Sequence, residues 1–140
     1  MREILFRGKL SHNNEWVVGN LVFSQEGNPY IIPSDVIEQD GHRLGIFDDN
    51  AYWVNENTIG QYVGMKDRNG KMIYEGDILE IPIKDSDGKI EYKLGAVEYS
   101  TRSQEYIIRL VCSFNSILNS AGFYEFGLEV VGNIYDNKKY

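Results

Sequence analysis

Apolar residues recur at every second position in short runs along this chain, and Gly, Asn and Asp interrupt the runs every several residues. Ile4 and Phe6 fall on one side of the first run, and Arg7 falls on the other. One face of such a strand can be buried while the other carries charge. Tyr, Val, Ile and Phe dominate the apolar positions, which favours strands. The pattern therefore predicts an all-β chain of short strands and tight turns.

Later runs repeat this signal with local variations. Gly19 interrupts the second run and predicts a β-bulge or a close approach of backbone. Pro33 and Pro82 lack an amide hydrogen, so each predicts a strand end or a sheet edge. Predicted strands cover residues 2–10, 15–24, 30–33, 51–65, 71–75, 78–83, 89–100, 105–114 and 127–137, with a weaker pattern between 34 and 50.

One segment has helical spacing. Phe114, Ile117 and Leu118 lie at positions i, i+3 and i+4, and Gly122 follows them. This spacing places the three side chains on one helix face, and a glycine often ends a helix. The sequence therefore predicts one short helix here.

The stretch between residues 64 and 81 carries the strongest turn signals. Asn69-Gly70 predicts a hairpin over residues 62–75, because Asn and Gly tolerate the positive φ that a tight hairpin turn needs at two successive positions. Gly76-Asp77 then lets the chain change direction before a new strand begins. A corner followed by a strand is how a small sheet curls into a barrel, so we expect a mainly β, small β-barrel-type fold.

The distribution of charge predicts a boundary between two regions of the chain near Gly60. The 140 residues suit one domain or two very small ones. Residues 1–62 carry a net charge of −5 and residues 63–140 a net charge of −2. We predict an N-terminal β region over 1–60 and a C-terminal barrel region over 61–140. The total of −7 opposes nonspecific attraction to nucleic acid or anionic lipid.

The expected location is the cytoplasm of a bacterium. Cys112 is the one cysteine and cannot form an internal disulfide, which is typical of a reducing compartment. No run approaches the length of a membrane span, and the N-terminus does not resemble a signal peptide.

Candidate reactive groups are few. His12 and His42 have no cysteine partners at zinc-ligand spacing. Asp48-Asp49 could bind a hard cation, although such a run is commonly a solvated loop. Residues 85–88 resemble the start of a calcium loop but lack its later ligands, so a turn is favoured. We predict no catalytic residue, no cofactor and no metal site.

The chain has ten tyrosines, and tyrosine is favoured both in sheets and at protein interfaces. Tyr62, Tyr74, Tyr99 and Tyr106 lie in or beside predicted strands. These four residues form the predicted interface of a homo-oligomer or of a complex with another protein.

A second function remains open. Small barrels can bind single-stranded nucleic acid through aromatic stacking and basic side chains. Arg102 and Arg109, with Tyr99 and Tyr106 on one predicted hairpin, could supply such a site. The acidic net charge argues against it.

Four stretches give the chain a resemblance to the YopX family of phage and prophage proteins. They are "REILFRGK" and "NNEWVVGNL" near the start, "TIGQYVGMKDRNGKMIYEGDILEI" in the middle and "EVVGNIYDN" near the end. Met65, where the family usually has Leu, and the lack of a proline before Thr58 are small departures. The resemblance implies a phage or prophage source, a mainly β fold with an SH3-like C-terminal portion, and assembly into oligomers. It implies no reaction, and Asn69, Gly70, Gly76 and Asp77 are expected to be structural turn residues.

Overall fold

The prediction of a mainly β protein is confirmed. The computed structural model describes residues 3–34, 50–84, 86–110, 115–117 and 127–136. Strands take up 59% of these residues, in two antiparallel sheets. Strands β1 to β11 span, in order, Phe6–Lys9, Trp16–Phe23, Pro29–Pro33, Tyr52–Trp53, Gly60–Lys66, Met72–Tyr74, Asp77–Lys84, Ile90–Ser100, Glu105–Leu110, Asn115–Ile117 and Glu129–Asn133. A 3-10 helix spans Glu56–Thr58.

The chain divides into two compact units, residues 1–62 and 63–140. Whether each unit folds as a domain of its own stays a prediction. Strand β5 begins in the first unit, where Gly60 and Gln61 pair with β1. It ends in the second unit, where β6 lies beside it.

The first unit is an antiparallel sheet in the order β4-β3-β2-β1-β5. Leu10, Ile31 and Val54 are its buried core, and four partly buried apolar side chains pack against them. These four are Phe6, Val17, Leu21 and Ile59. Alternation along β2 explains the arrangement, because Val17 and Leu21 lie on the face that pairs with Ile31 in β3.

Gly19 marks a close approach of backbone and not a bulge. The register of β2 runs through it without a shift, pairing Gly19 with Phe6 on one side and Pro33 on the other. A Cβ atom built at this position would lie 1.9 Å from the Ile32 carbonyl oxygen. Any side chain would therefore force β2 and β3 apart.

Arg7 departs from its predicted exposure. The alternation in β1 is present, but Arg7 is only 9% exposed, whereas Ile4 is exposed. The Arg7 guanidinium lies 4.7 Å from the centroid of the Trp16 ring. A planar guanidinium stacks well on an aromatic face. The pattern predicted a charge facing solvent at this position, and the structure has a charge packed against a ring instead.

The second unit contains a five-stranded sheet in the order β10-β9-β8-β7-β11. Its core is larger and consists of Val63, Ile73, Leu79, Ile81, Val97, Ile108 and Leu128. Within the described residues the sheet ends at β10 and β11 and does not close on itself. The prediction of a small β-barrel is corrected accordingly, and the SH3-like detail stays a prediction.

Pro82 shows how an open sheet accommodates a proline in its fourth strand. β11 pairs with β7 only over Asp77–Glu80, so Pro82 lies beyond that pairing, with Tyr92 of β8 opposite it. Among the described strands, only β8 pairs with β7 at this position. The predicted sheet edge at this residue is confirmed.

The predicted helix is wrong where the structure describes it. Asn115–Ile117 is β10, which pairs antiparallel with β9 from Arg109 to Ile107. Three apolar positions are too few to distinguish the period of a helix from that of a strand. The predictions for residues 35–49, Cys112, Phe114, and Leu118 to Gly122 lie outside the described residues.

Within the same described ranges, no helix has the length and apolar character that crossing a bilayer requires.

Candidate functional site at the two turns

The first turn links β5 and β6 through residues 67–71. The Asp67 N–H donates to the Lys71 carbonyl at 2.7 Å, and the Gly70 N–H donates to the Asp67 carbonyl at 3.0 Å. Gly70 has a φ of 84°, whereas Asn69 is not among the positive-φ residues of the described chain. The hairpin is confirmed, but its predicted pair of positive φ values is wrong. Asp at the first position and Gly at the fourth suit a type I turn followed by a left-handed glycine.

The Asp67 carboxylate holds this turn together. Its Oδ1 accepts hydrogen bonds from the N–H groups of Asn69 at 2.9 Å and Lys71 at 2.8 Å. Its Oδ2 accepts a third from the Val130 N–H at 3.0 Å. Val130 belongs to β11, more than sixty residues later in the chain. One buried side chain therefore satisfies three backbone donors in two separate stretches.

Burial and hydrogen bonding act on the Asp67 pKa in opposite directions. Burial raises the pKa, because it disfavours the charged form. The N–H groups of Val130, Lys71 and Asn69 lower it, and the Lys71 charge adds to this effect. The net pKa lies below its ordinary value of 3.8. Asp67 is thus held as a carboxylate, which is the form that can accept all three hydrogen bonds.

Arg68 makes a second connection between this turn and the chain near β11. Its N–H donates to the Leu128 carbonyl at 2.8 Å, and its guanidinium pairs with Glu129. Gly127 has a φ of 78°, and a Cβ there would lie 2.9 Å from the Arg68 Cβ. A glycine is therefore required at 127 both by its backbone conformation and by the close approach of Arg68.

The second turn, Tyr74 to Asp77, links β6 and β7. The Tyr74 N–H donates to Asp77 Oδ2 at 2.8 Å, and Asp77 is only 1% exposed. Gly76 has a φ of 89° at the third of the four turn positions, where a type II turn requires positive φ. The predicted change of direction at Gly76-Asp77 is confirmed.

Gly76 also contacts two other parts of the unit. Its N–H donates to the Val97 carbonyl at 2.8 Å, and its carbonyl accepts from the Ile134 N–H at 2.8 Å. A Cβ at this position would lie 2.8 Å from Cε2 of the Tyr135 ring. The glycine thus permits both the left-handed backbone and the close packing of Tyr135.

Both turns therefore meet one stretch, residues 127–135, which we call the C-terminal segment. The first turn contacts its beginning through Asp67 and Arg68, and the second contacts its end through Gly76. The register of β11 shifts between Val130 and Gly132, which marks a β-bulge or irregularity. The sequence indicated the two turns, but gave no signal that the Asp67 side chain would join the first turn to β11.

The four tyrosines of the predicted interface fall into two groups. Tyr62 and Tyr74 are buried within the chain and offer little area to a partner. Tyr99 and Tyr106 face each other across β8 and β9, with ring centroids 5.2 Å apart in an edge-to-face arrangement. Tyr99 is exposed. The interface stays a prediction, and Tyr99 is the most exposed of these four residues.

The basic residues of the predicted nucleic-acid site are not equivalent. Arg109 donates from Nε to Glu98 Oε1 at 2.8 Å, and its Nη2 also contacts that oxygen. This ion pair offsets the Arg109 charge. Strand alternation places Arg109 and Glu98 on the opposite face of the sheet from Tyr99 and Tyr106, so the fold does not bring Arg109 together with the two rings. Arg102 lies in the exposed turn between β8 and β9.

Metal-ligating residues do not gather in the part of the chain that the structure describes: no group of three or more His, Cys, Asp or Glu could hold an ion there. His12 lies in an exposed turn and Asp87 in the turn between β7 and β8. Asp48-Asp49 and His42 lie outside the described residues.

The fold and the two turns define a class of mainly β protein in which a turn-rich motif is tied to a late strand. The particular family follows from comparison. The YopX protein family model matches residues 5–139, and the chain belongs to this family. Three chains among solved structures match it. One is the crystal structure of protein EF1440 from Enterococcus faecalis, with a TM-score of 0.57 and 19% identity over 99% of this chain and 98% of that chain. A comparison with curated proteins finds no match.

Proposed function

We propose that this protein is a non-enzymatic structural or binding module that self-associates inside a bacterial cell carrying a phage or prophage. The roles of the motif carboxylates support the non-enzymatic reading. Asp67 accepts three backbone hydrogen bonds, and Asp77 is buried and accepts one from Tyr74. Groups held in this way stabilise a backbone and are poorly placed to transfer protons to a substrate.

Two adjacent apolar side chains on β8 carry the self-association proposal. Ile90 and Tyr92 are 38% and 56% exposed. They are two residues apart in a strand, so both point to the same face. Exposed, contiguous apolar surface in a globular protein commonly marks an interaction site, and tyrosine is enriched in such sites.

Contact between faces suits this surface better than the addition of a strand. Pro82 lies opposite Tyr92 on β7, in the stretch of β7 that β11 does not cover. A proline at a sheet edge removes a donor and blocks pairing with another chain. A second copy would therefore pack on the Ile90 and Tyr92 side chains, leaving the backbone of β7 unpaired.

Light scattering on the purified protein tests self-association. We expect a defined assembly whose mass is a multiple of 16.1 kDa, and a lower mass for the double variant Ile90→Ser, Tyr92→Ser. Tyr99→Ser tests the alternative interface, because Tyr99 and Tyr106 belong to the interface that was predicted from the sequence. Loss of assembly in that variant alone would move the interface to Tyr99 and Tyr106. A monomer at every concentration would overturn self-association altogether.

The source, the location and the partner complete the proposal. Family membership supports a phage or prophage origin, and a cytoplasmic location and an SH3-like C-terminal portion stay predictions. A phage or host protein is the expected partner besides a second copy. Capture from infected cells by wild type, but not by Ile90→Ser, Tyr92→Ser, would connect that partner to β8.

A further inference from the structure

The first turn holds the one Asn-Gly pair of the sequence, Asn69-Gly70. Both residues are exposed. A Cβ built at Gly70 would meet nothing within 4 Å, and glycine itself has no side chain to hinder an approach to its backbone nitrogen. This pair is therefore open to solvent and unhindered by a side chain at position 70.

Asparagine is chemically labile, and an unhindered Asn-Gly pair is suited to deamidation. The Gly70 nitrogen loses its proton and attacks Asn69 Cγ. A bond forms between that nitrogen and Cγ, the bond from Cγ to Nδ2 breaks, and Nδ2 leaves as ammonia. Water then opens the resulting succinimide ring at one of its two carbonyls, which leaves aspartate or isoaspartate at position 69. The net reaction consumes one water and releases one ammonia.

The fold sets the rate at which this reaction can proceed. The Gly70 N–H donates to the Asp67 carbonyl at 3.0 Å, and this bond has to open before the nitrogen can lose its proton and attack. The Asp67 carboxylate keeps the turn closed by accepting from the Asn69 and Lys71 N–H groups at 2.9 and 2.8 Å. Deamidation of the folded chain therefore depends on local opening of the first turn.

The charge of residue 69 affects the link to the C-terminal segment. Asn69 Nδ2 donates to Glu129 Oε1 at 3.4 Å, and the Arg68 guanidinium pairs with the same carboxylate. Glu129 also lies opposite Glu80 of β7, so this part of the sheet already contains two neighbouring acidic residues. A carboxylate at position 69 has no N–H for Glu129, repels it and competes with it for Arg68.

We propose that Asn69 is a site of spontaneous deamidation, and that the new carboxylate weakens the link between the first turn and the C-terminal segment. Loss of ammonia makes the change irreversible in water. Deamidated chains therefore accumulate with time, and each has a more weakly attached β11. The proposal concerns the first turn and does not depend on self-association.

Peptide mapping by mass spectrometry of the full chain, incubated in mildly alkaline buffer, tests the reaction. Alkaline buffer favours loss of the Gly70 amide proton. We expect aspartate and isoaspartate to appear at Asn69 several times faster than at Asn57, which is also exposed but precedes the β-branched Thr58. Asp67→Asn should speed the conversion further, because the turn then opens more often. Equal rates at Asn69 and Asn57, or an unchanged rate in Asp67→Asn, would overturn the proposal.

The effect on the C-terminal segment is tested with Asn69→Asp, which carries the charge of the product and keeps nearly the size of asparagine. We expect amide exchange at Val130 to become roughly two to five times faster. The same substitution in a Glu129→Gln chain should have little effect, because the facing carboxylate is gone. Asn57→Asp is the matched control and should leave exchange at Val130 unchanged. Exchange at Val130 that is unaltered by Asn69→Asp, or equally raised by Asn57→Asp, would refute the effect on the C-terminal segment.

Discussion

The Asp67 side chain accepts hydrogen bonds from two N–H groups of its own turn and from one in a strand more than sixty residues away. An ionised carboxylate accepts hydrogen bonds on both oxygens, whereas protonation turns one of these oxygens into a donor and weakens the acceptors. The lowered pKa and the three N–H donors are therefore two aspects of one arrangement. The turn itself can be recognised in the sequence, because an aspartate three residues before a glycine is typical of a type I turn. The sequence could not reveal Val130 as the third donor, because that contact depends on the tertiary fold.

The pH dependence of stability should reflect Asp67. Its pKa is lower in the folded chain, so its contribution to the free energy of unfolding is fully present above about pH 4, close to its ordinary value of 3.8. The contribution is lost as the pH falls through the folded pKa. We expect the stability difference between wild type and Asp67→Asn to shrink as the pH falls below about 4 in urea unfolding. An unchanged difference over that range would contradict the account.

Gly76 and Gly70 allow backbone strain to be separated from contact with Tyr135. Both have positive φ, but a Cβ at Gly70 would meet nothing within 4 Å. We expect Gly70→Ala to cost about 1 kcal/mol from backbone conformation alone. Gly76→Ala should cost more, about 2–3 kcal/mol, because Tyr135 must also move. Equal costs in guanidinium unfolding would show that Tyr135 does not pack on Gly76 as described.

Among the elements, the strands were predictable and their partners were not. Alternation identified β2, β7, β8 and β9, because period-two burial is a local property. The β10 strand was predicted as a helix, because its few apolar positions fit either period and its pairing with β9 is a tertiary contact. The 3-10 helix at Glu56–Thr58 was absent from the predictions as well. Its Asn55 cap accepts from the Asn57 N–H, a local signal that could have been found.

The 3-10 helix is joined to β1 by the Thr58 hydroxyl. This buried group accepts from the Lys9 N–H at 2.9 Å and donates to the Asn55 carbonyl at 2.7 Å. We expect Thr58→Val to cost about 1–3 kcal/mol, because the Lys9 N–H is left without its partner. Thr58→Ser retains the hydroxyl and should cost less. Thermal unfolding of both variants checks this, and equal losses would indicate that the lost methyl packing, and not the hydrogen bond, matters.

At the scale of the whole molecule, each unit has its own apolar core. Ile31 is fully buried in the first core and Leu79 in the second. The charge shift near Gly60 predicted a division of the chain, since charge is a local property of the sequence. Membership of each core was predictable only in part, because it depends on which strands pair.

We expect the two units to respond separately to changes in their cores. Ile31→Ala should cost about 2–5 kcal/mol and speed amide exchange mainly in residues 3–34 and 50–62. Leu79→Ala should act in the same way on the second unit. Hydrogen exchange resolved by peptide distinguishes the cases. Uniform loss of protection over the full chain in both variants would show one cooperative unit.

The family motif builds backbone structure through its link to the C-terminal segment. The most direct measurement is the free energy of unfolding of Asp67→Ala at pH 7, with amide exchange at Asn69, Lys71 and Val130. We expect a loss of about 2–3 kcal/mol, faster exchange at all three amides, and little change for Glu26→Ala, which removes an exposed carboxylate from the turn between β2 and β3. Unaltered stability and unaltered exchange at Val130 would contradict it.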